Sequence, residues 1–276
     1  MPTLRCAYID LDGTLLGRGA SLFHDGEGRP SMAGARAIEA CLRADVEIVL
    51  VSGRRSQQLH EDARLLGQPA FIFEAGAGMV VDGDLYWNTG DLVPRDGRTI
   101  HQQITESGAP QLLLDHYAGR LEYHDPWHLD RDVSHLFRGH VDAFEADDLL
   151  KAHGHDGLRL VDNGGVHRRS EDLADLDQVR AYHLIPAPAS KTVAVARHMQ
   201  MRGYRRDETI GVGDSREDLQ LHDAVGTFWL VANALTSDPT IEAAIGGAAN
   251  VRVAHDEHGA GVYEAVMETL ALSRAS

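Results

Sequence analysis

Positive charge is scarce in this chain of 276 residues: 26 lysines and arginines stand against 42 aspartates and glutamates, for a formal net charge of −16 at pH 7. A protein that binds nucleic acid or an anionic membrane without sequence preference needs a basic face to displace counterions. The charge balance therefore argues against both kinds of partner.

Long hydrophobic runs are also missing, because no apolar stretch approaches the ~20 residues that a helix needs to cross a bilayer. The chain begins MPTLRCAYID, where a predicted strand starts almost at once, so we expect neither a signal peptide nor a transit segment. Cysteine is limited to Cys6 in a predicted strand and Cys41 in a predicted helix, and both are expected to be buried and reduced. We therefore predict a cytoplasmic protein without membrane contact, either a monomer or a homodimer.

Lysine is nearly absent: Lys151 and Lys191 are the only two, and the other cationic residues are arginine. An ammonium group is a compact point charge, whereas a guanidinium is a broad, planar one. A lysine in so arginine-rich a chain suggests a position where the compact charge is needed. Lys191, in the sequence ASKT, is the candidate.

Four short stretches place residues suited to phosphate chemistry next to apolar runs. They are Asp10 and Asp12 in YIDLDGT, Ser52 in VLVSGR, Lys191 in ASKT, and Asp214 with Asp218 in GVGDSRED. Three of the apolar runs, at 6–9, 46–51 and 209–212, are typical of buried parallel strands. Ligands bind beyond the carboxyl ends of such strands in open α/β sheets, so these stretches predict one converging polar site.

Strands alternate with helices over much of the chain, which indicates the α/β class. Short strands at 79–81 and 85–87, joined by Asp82 and Gly83, predict a hairpin that leads out of the sheet. The other elements predicted outside the middle of the chain are helices at 32–42, 57–66, 191–201, 217–222 and 262–272 and strands at 70–73, 227–231 and 251–253.

The middle of the chain is polar and rich in histidine, and it is predicted to form a separate, smaller domain. Asn163-Gly164-Gly165 predicts a turn between two of its strands, and Pro186 with Pro188 predicts a linker back to the first domain. Its predicted elements are strands at 121–123, 158–161 and 166–168 and helices at 111–117 and 141–151. The predicted domains are a discontinuous core of 1–88 and 186–276 and an insertion of 89–185.

The four stretches resemble the motifs of the haloacid dehalogenase superfamily of aspartyl phosphotransferases, in the branch that inserts a large α/β cap between the second and third motifs. Residues 10–14 match the first motif, Ser52 the second, Lys191 the third, and Gly213-Asp214 with Asp218 the fourth. The resemblance implies a Rossmann-like core with a doubly wound parallel sheet. It also implies that the inserted α/β cap determines substrate specificity.

The same resemblance implies a role for each motif residue. Asp10 is expected to be the nucleophile that forms an aspartyl phosphate. Asp12 is expected to be the acid that protonates the leaving oxygen and then the base that activates water. The residues expected to bind the phosphoryl group are Ser52, Gly53, Arg54 and Lys191.

Crowded carboxylates of this kind are tolerable only with a hard cation, so Mg²⁺ is the expected cofactor. Its expected direct ligands are Asp10, the backbone carbonyl of Asp12, and Asp214. Asp218 and Ser215 are expected to lie behind these ligands, where Asp218 holds a metal-bound water or the motif lysine.

Two positions depart from the family pattern. Glu217 stands where the fourth motif often has asparagine, and Glu74-Ala75-Gly76-Ala77 follows the third strand where Asn-Gly-Ala is often found. Neither change removes the nucleophile, the acid, the serine or the lysine. The motif chemistry is therefore expected to hold.

Substrate recognition beyond the phosphate is expected in the cap. The chain has 16 histidines, among them His124 and His128, whose spacing would suit a zinc site on one helical face. Pro126 between them interrupts such a helix, so solvated or substrate-facing side chains are the stronger interpretation. The hairpin at 163–169 is predicted to contact the substrate through His167 and Arg168.

Together these features predict a Mg²⁺-dependent phosphomonoesterase that acts on a small phosphorylated metabolite, either a sugar phosphate or a phosphoglycerate-type compound. Two alternatives stay open. One is a phosphosugar mutase, because relatives with similar caps return the phosphoryl group to a sugar. The other is a catalytically silent protein that binds a phosphorylated metabolite.

Overall fold

Strands and helices alternate along the computed structural model, which describes residues 3–166 and 170–274. The strands are β1 (Cys6–Asp10), β2 (Glu47–Val51), β3 (Ala70–Phe73), β4 (Gly78–Val81), β5 (Asp84–Trp87), β6 (Leu121–Tyr123), β7 (His135–Gly139), β8 (Leu158–Gly165), β9 (Arg180–Pro186), β10 (Thr209–Gly213), β11 (Thr227–Leu230) and β12 (Val251–Val253). The helices are α1 (Ala33–Arg43), α2 (Ser56–Leu65), α3 (Ile100–Glu106), α4 (Ala109–His116), α5 (Ala143–Ala152), α6 (Lys191–Arg202), α7 (Arg216–Leu219), α8 (Asn233–Ser237), α9 (Ile241–Ile245) and α10 (His258–Arg274). Within these residues no helix combines the length and the apolar character that a membrane span requires.

The larger sheet has eight strands in the order β12-β11-β10-β1-β2-β3-β4-β5. The strands from β12 to β3 in this order run parallel, and β4 and β5 are each antiparallel to the strand before them. Because β10, β1 and β2 are parallel neighbours, their carboxyl ends open at one edge of the sheet. Asp10 pairs in register with Val51, so Ser52 follows directly alongside the first motif.

Helices cover both faces of this sheet. Alternate strand residues such as Ile9, Leu50 and Val212 pack with α1, α2 and α10 on one face. Tyr8 and Val51, whose side chains point the other way, pack with α6 on the opposite face. A parallel sheet that is buried on both faces is the doubly wound arrangement, so the predicted α/β fold is confirmed.

A second, smaller sheet has four antiparallel strands in the order β6-β7-β9-β8. Phe137 and Tyr182 of this sheet share a separate hydrophobic cluster with Leu113 of α4 and Leu150 of α5. All of its strands and α3, α4 and α5 fall between β5 and α6 in the chain. The boundaries of the inserted cap at 89–185 stay a prediction.

Most predicted core elements end within a few residues of the observed ones, and the bounds of β3 and β12 match. Cys6 and Cys41 are buried and free, as predicted. The interpretation of the hairpin formed by β4 and β5 is wrong in one respect. It does not lead out of the sheet, because β4 pairs with β3 at Phe71 and Val80 and extends the sheet edge.

The predicted turn at 163–165 is also wrong. These residues belong to β8, and the ladder with β9 shifts its register between Asp162 and Gly165. The Asp162 carboxylate stabilises this bulge, because it accepts from the Gly164 N–H at 2.9 Å and from Arg180 Nε at 2.6 Å. Glycine favours bulges as well as turns, so the sequence pattern did not distinguish the two.

Two cap elements, β7 and α3, escape the sequence patterns. β7 is buried at every position, including His135 and Arg138, so its sequence shows no alternation of apolar and polar residues. Arg138 is satisfied there by Glu122 on β6, which accepts from its Nε at 2.5 Å. α3 begins with a capping box formed by Thr99 and Gln102 within a polar stretch.

A buried carboxylate joins the loop before β7 to the larger sheet. Glu74 follows β3 and is fully buried. Its Oε1 accepts from the backbone N–H of Asp132 at 2.9 Å, and its Oε2 accepts from those of Val133 and Ser134 at 3.1 and 2.5 Å. One core side chain therefore fixes three consecutive residues of the cap.

Arg131, in the loop before β7, forms a second contact with the larger sheet. Its Nη1 donates to the carbonyl of Gly53 at 3.0 Å, and its side chain is buried. The N–H of Glu74 donates to the carbonyl of Arg54 at 3.0 Å, so both contacts meet on the turn that follows β2. We call this pair of residues the Glu74–Arg131 clasp.

We expect Glu74→Ala to lower the free energy of unfolding by about 3–5 kcal/mol, because it leaves the buried N–H groups of 132–134 without a partner and removes the carboxylate that offsets the buried charge of Arg131. Urea unfolding measures the loss, and hydrogen exchange of the 132–134 amides should become faster. Glu61→Ala is the matched control, since Glu61 forms an exposed pair with Arg64 that is worth less than about 1 kcal/mol. Equal losses in the two variants would contradict a stabilising clasp.

Candidate active site

Lys191 lies at the centre of a buried cluster of carboxylates at the edge where β1 and β10 end. It is the first residue of α6. Its Nζ donates to Asp10 Oδ1 at 3.0 Å and to Asp218 Oδ1 at 2.7 Å. Glu217 Oε2 lies 3.5 Å from the same nitrogen. The cluster brings the first, third and fourth sequence motifs together.

One amine meets three carboxyl groups in this cluster, and burial affects the pKa of each kind of group. Burial lowers the pKa of Lys191, but the three carboxylates around it raise the pKa well above its usual value. Burial raises the pKa of Asp10 well above its usual range, and Lys191 opposes that shift only in part. The carboxylates of Asp218 and Asp214 raise it further. The amine is therefore a cation at neutral pH, whereas burial and mutual repulsion oppose the ionisation of the acids around it.

The fourth-motif loop folds around the carboxylate of Asp218. Its Oδ2 accepts from the Ser215 hydroxyl at 2.6 Å and from the backbone N–H groups of Ser215 and Asp214 at 3.1 and 3.3 Å. Ser215 Oγ in turn accepts from the N–H of Asp218 at 3.1 Å, which completes a capping box at the start of α7. One oxygen of Asp218 thus shapes the loop, and the other binds Lys191.

Asp214 follows β10 and faces the first motif. Thr14 Oγ1 donates to Asp214 Oδ1 at 2.9 Å. Gly13 lies against the same carboxylate with φ at +89°, and a Cβ at this position would overlap Asp214. Asn233 Nδ2 donates to the carbonyl of Gly13 at 2.8 Å and fixes the turn. Glycine is required at this position by its backbone conformation and by the close carboxylate.

Asp10, Asp214 and Asp218 form a group that could hold a cation, since each places a carboxylate oxygen within 4.8 Å of the other two. Burial raises the pKa of Asp214 to about 7, and Asp218 contributes to the shift. Buried carboxylate oxygens at this spacing fit the ligand preferences of Mg²⁺. The carboxylate of Asp12 lies outside this group, which leaves its backbone carbonyl as the predicted ligand.

Asp12 is half exposed, and Arg54 holds its carboxylate in a bidentate pair. Arg54 Nε and Nη2 donate to the two oxygens of Asp12 at 2.7 and 2.6 Å, while Nη1 donates to Asp62 at 2.8 Å. Burial lowers the pKa of Arg54, but these two carboxylates raise it above its usual value. Arg54, which was predicted to bind phosphate, is thus engaged by two acids and fixes the position of Asp12.

Ser52 and Gly53 form the buried turn after β2. Ser52 Oγ accepts from the N–H of Arg54 at 3.2 Å. A Cβ at Gly53 would lie 2.7 Å from His183 Nε2 and 2.9 Å from Asn163 Nδ2, both of which belong to the smaller sheet. The smaller sheet therefore reaches the predicted phosphate-binding turn directly.

The predicted specificity residues His167 and Arg168 lie outside the described residues. Of the predicted strand at 166–168, residue 166 follows β8 and the rest also lies outside them. Asn163, from the same predicted hairpin, is described and lies at the active-site edge beside Gly53.

Sequence reasoning missed several contributors to this site. Thr14 was visible within the DLDGT motif, and Asn233 follows the end of β11 as other site residues follow β1, β2 and β10. Arg131, Ser134 and His183 had no such signal, because they are buried polar residues of the cap outside any motif.

A comparison with protein-family profiles finds no match. The chain is similar to the phosphoglycolate phosphatase of Methanoculleus marisnigri, with 26% identity over 235 residues that cover 84% of this chain and 85% of the relative.

Two solved structures show the same fold over nearly the whole chain. The sucrose-phosphatase of Synechocystis superposes with a TM-score of 0.66 at 15% identity and covers 98% of each chain. A phosphatase of the haloalkanoate (HAD) enzyme superfamily from Bacteroides thetaiotaomicron gives a TM-score of 0.63 at 16% identity, over 97% of this chain and 95% of its own.

Taken with the motif residues around Lys191, these similarities identify an enzyme of the phosphatase class. In its fold the chain is similar to a phosphatase of the haloalkanoate (HAD) enzyme superfamily, the superfamily that its motif residues resemble.

The pKa values of the cluster predict a pH-dependent stability when no divalent cation is bound. Burial raises the pKa of both Asp214 and Glu217 to about 7, above their values in the unfolded chain. The stability from these protonated acids is fully present below about pH 4 and is lost as the pH rises through about 7. We expect the Tm in EDTA to fall between pH 5 and 8, and Mg²⁺ to reduce that fall. A Tm in EDTA that stays level or rises over this range would contradict the raised pKa values of Asp214 and Glu217.

Proposed function

We propose that the protein is a Mg²⁺-dependent phosphomonoesterase that hydrolyses a small phosphorylated metabolite through an aspartyl phosphate on Asp10. The observation that carries the proposal is the Lys191 cluster, in which residues far apart in sequence meet at one edge of the sheet. Lys191 Nζ lies 3.0 Å from Asp10 and 2.7 Å from Asp218. The cytoplasmic setting and the monomeric or homodimeric state remain predictions.

Asp10 is placed to act as the nucleophile at the end of β1. Attack of its carboxylate oxygen on phosphorus forms a P–O bond to Asp10 and breaks the ester P–O bond of the substrate. Lys191, which already binds Asp10, offsets negative charge on the transferring group. Ser52 and the N–H groups around Gly53 are the proposed donors to the phosphoryl oxygens.

Asp12 is placed to transfer protons on the exposed side of the site. In the first step it gives a proton to the departing oxygen of the substrate. In the second step it takes a proton from the water that attacks the phosphorus of the aspartyl phosphate, which releases phosphate and restores Asp10. The bidentate pair with Arg54 holds Asp12 as a carboxylate, so the pair opens at one oxygen when Asp12 carries the proton that it transfers.

Asp10, Asp214 and the backbone carbonyl of Asp12 are the proposed ligands of Mg²⁺, with Asp218 next to them. When bound, the ion supplies positive charge that offsets the carboxylates and the phosphate of the substrate. Ser215 supports this arrangement by orienting Asp218.

We place the substrate among short phosphorylated acids of the phosphoglycolate or phosphoglycerate type. The relative from Methanoculleus marisnigri, which matches 84% of the chain, is named a phosphoglycolate phosphatase. The N–H donors of His183 and Asn163 beside Gly53 suit an acceptor group close to the phosphate. Sugar phosphates are the rival class, and the sucrose-phosphatase fold favours them.

Phosphate release from a substrate panel tests the proposal. The panel contains 2-phosphoglycolate, 3-phosphoglycerate, glucose 6-phosphate, a nucleotide and pyridoxal phosphate, each with Mg²⁺ or with EDTA. We expect release only with Mg²⁺ and the highest kcat/KM for 2-phosphoglycolate. A sugar phosphate as the best substrate would replace the proposed class, and release that is unchanged in EDTA would remove the metal.

Asp10→Asn should abolish turnover while the fold is kept, because an amide is a poor nucleophile and a poor metal ligand. Steady-state phosphate release and circular dichroism measure the two properties. Asp84→Asn, at an exposed position on β5, is the matched control and should retain full activity. Steady-state hydrolysis by a folded Asp10→Asn protein would exclude the covalent route.

Asp12→Asn should slow hydrolysis by about 10²-fold to 10⁴-fold, the usual contribution of a positioned acid and base. The aryl substrate p-nitrophenyl phosphate separates the two steps, because its leaving group needs little protonation. With this substrate we expect a rapid burst of one p-nitrophenolate per site, followed by slow release of phosphate. An unchanged steady-state rate would show that Asp12 only shapes the turn after β1.

A further inference from the structure

Two side chains of the smaller sheet converge on Gly53, next to the site proposed for the phosphate. His183 Nε2 and Asn163 Nδ2 both lie within 2.9 Å of the point that a Cβ of Gly53 would occupy. His183 belongs to β9 and Asn163 to the neighbouring β8, so the two come from adjacent strands. His183 is buried against Gly53, so a substrate with its phosphate at Ser52 and Gly53 would reach these nitrogens by entering between this turn and the smaller sheet.

A chain of hydrogen bonds favours one tautomer of His183. Arg131 Nη1 donates to Ser134 Oγ at 3.1 Å, and the Ser134 hydroxyl lies 3.1 Å from His183 Nδ1. A guanidinium only donates, so the Ser134 oxygen accepts from Arg131 and its own hydrogen is free to point to Nδ1, which is the arrangement that we infer. Nδ1 is then the acceptor, and Nε2 carries the hydrogen that faces Gly53.

The imidazole is held neutral in this position. Burial lowers the pKa of His183 well below its usual value, and the nearby charges of Arg131 and Lys191 lower it further. A neutral ring with its proton on Nε2 is a fixed donor that does not change with pH near neutrality.

The bulge in β8 gives Asn163 its direction. Asp162 anchors the bulge through the Gly164 N–H and Arg180 Nε. Bulges redirect the side chains of a strand, and here the residue after Asp162 faces the active-site edge. Gly164 follows and lies against the Cβ of Ser215 in the fourth-motif loop, so the bulge is in contact with the core on both sides of the site.

We infer that His183 and Asn163 form a donor pair that binds the carboxylate of a short phosphorylated acid, with Arg131 and Ser134 as positioning residues that fix the His183 tautomer. This inference rests on the proposed hydrolysis at Asp10. Two N–H donors side by side match the two oxygens of a carboxylate. The positive charge of Arg131 near His183 favours an anionic group over a hydroxyl there.

A pair of substrates of equal length isolates the carboxylate contact. Ethyl phosphate has the same two-carbon skeleton as 2-phosphoglycolate but ends in a methyl group instead of a carboxylate. For His183→Ala we expect kcat/KM for 2-phosphoglycolate to fall by about 10-fold to 100-fold, the effect of losing a hydrogen bond to a charged group. The value for ethyl phosphate should change by less than about 3-fold, because that substrate has no acceptor for Nε2–H.

Two amide variants separate the donor from the bulk of the ring. His183→Gln can place an amide N–H near the position of Nε2, whereas His183→Asn reaches only as far as Nδ1. We therefore expect glutamine, and not asparagine, to recover most of the activity on 2-phosphoglycolate. His153→Ala is the control in the same domain, since His153 is exposed at the end of α5, and it should leave both substrates unaffected.

The tautomer gives a measurement that does not depend on turnover. In ¹⁵N spectra of the imidazoles, His183 should show a protonated Nε2 and an unprotonated Nδ1 at neutral pH. Ser134→Ala should change the ratio of the two forms and lower kcat/KM for 2-phosphoglycolate more than for ethyl phosphate. A proton on Nδ1 in the unmodified protein would overturn the assignment of Nε2 as the donor.

The kinetic outcomes distinguish this inference from the proposed function. Equal losses on both substrates in His183→Ala, or no loss on either, would overturn the donor pair while hydrolysis itself stands. If the unmodified protein hydrolyses no phosphomonoester, the proposed function fails, and calorimetric binding then decides the inference. In that case we expect 2-phosphoglycolate to bind more tightly than inorganic phosphate, and we expect His183→Ala to remove the difference. Any other binding result would overturn the donor pair as well.

Discussion

The ammonium of Lys191 is the interaction on which the active-site edge depends. The amine is buried and binds acids from the strand end at Asp10 and from the loop at Asp218. Without the cation, these carboxylates could not stay together in a buried place. The second oxygen of Asp218 accepts hydrogen bonds from Ser215 and from the backbone of Asp214. Because Lys191 holds the first oxygen, it also stabilises the loop that carries Asp214. One charge thus determines the geometry of both the nucleophile and the proposed metal ligands, and a compact ammonium suits this role better than the guanidinium used elsewhere in the chain.

The core of this arrangement could be predicted from the sequence for a physical reason. Strands that are buried on both faces give continuous apolar runs, and the residues after parallel neighbours must share one edge of the sheet. Asp10, Ser52 and Asp214 therefore met as expected, although their sequence separations are large. The hydrogen bonds between Arg54 and Asp12 could not be predicted from the sequence. Both residues were expected to act on the substrate, and nothing in their spacing indicated that they would bind each other.

The cap was harder to predict because its decisive residues do not follow the usual patterns. β7 has no polar face, since Arg138 is buried against Glu122 and the strand shows no alternation. The glycines at 164 and 165 form a bulge in a continuous strand, where the same residues would also suit a turn. Glu74 is a charged residue directly after a core strand, and its partners are backbone groups of the cap that no side-chain pattern reveals. Long-range contacts between a side chain and a distant backbone leave no trace in local sequence.

Gly53 lies where the larger sheet meets the smaller one. The position has no left-handed backbone requirement, and the space for a side chain is instead filled by His183 and Asn163. The requirement for glycine at position 53 therefore comes from the side chains of the cap as much as from the core. A larger residue at position 53 would be compatible only with smaller or redirected residues at positions 163 and 183. Positions 53, 163 and 183 should accordingly have changed together as enzymes of this type diverged toward different substrates, whereas the residues around Lys191 had no reason to change with them.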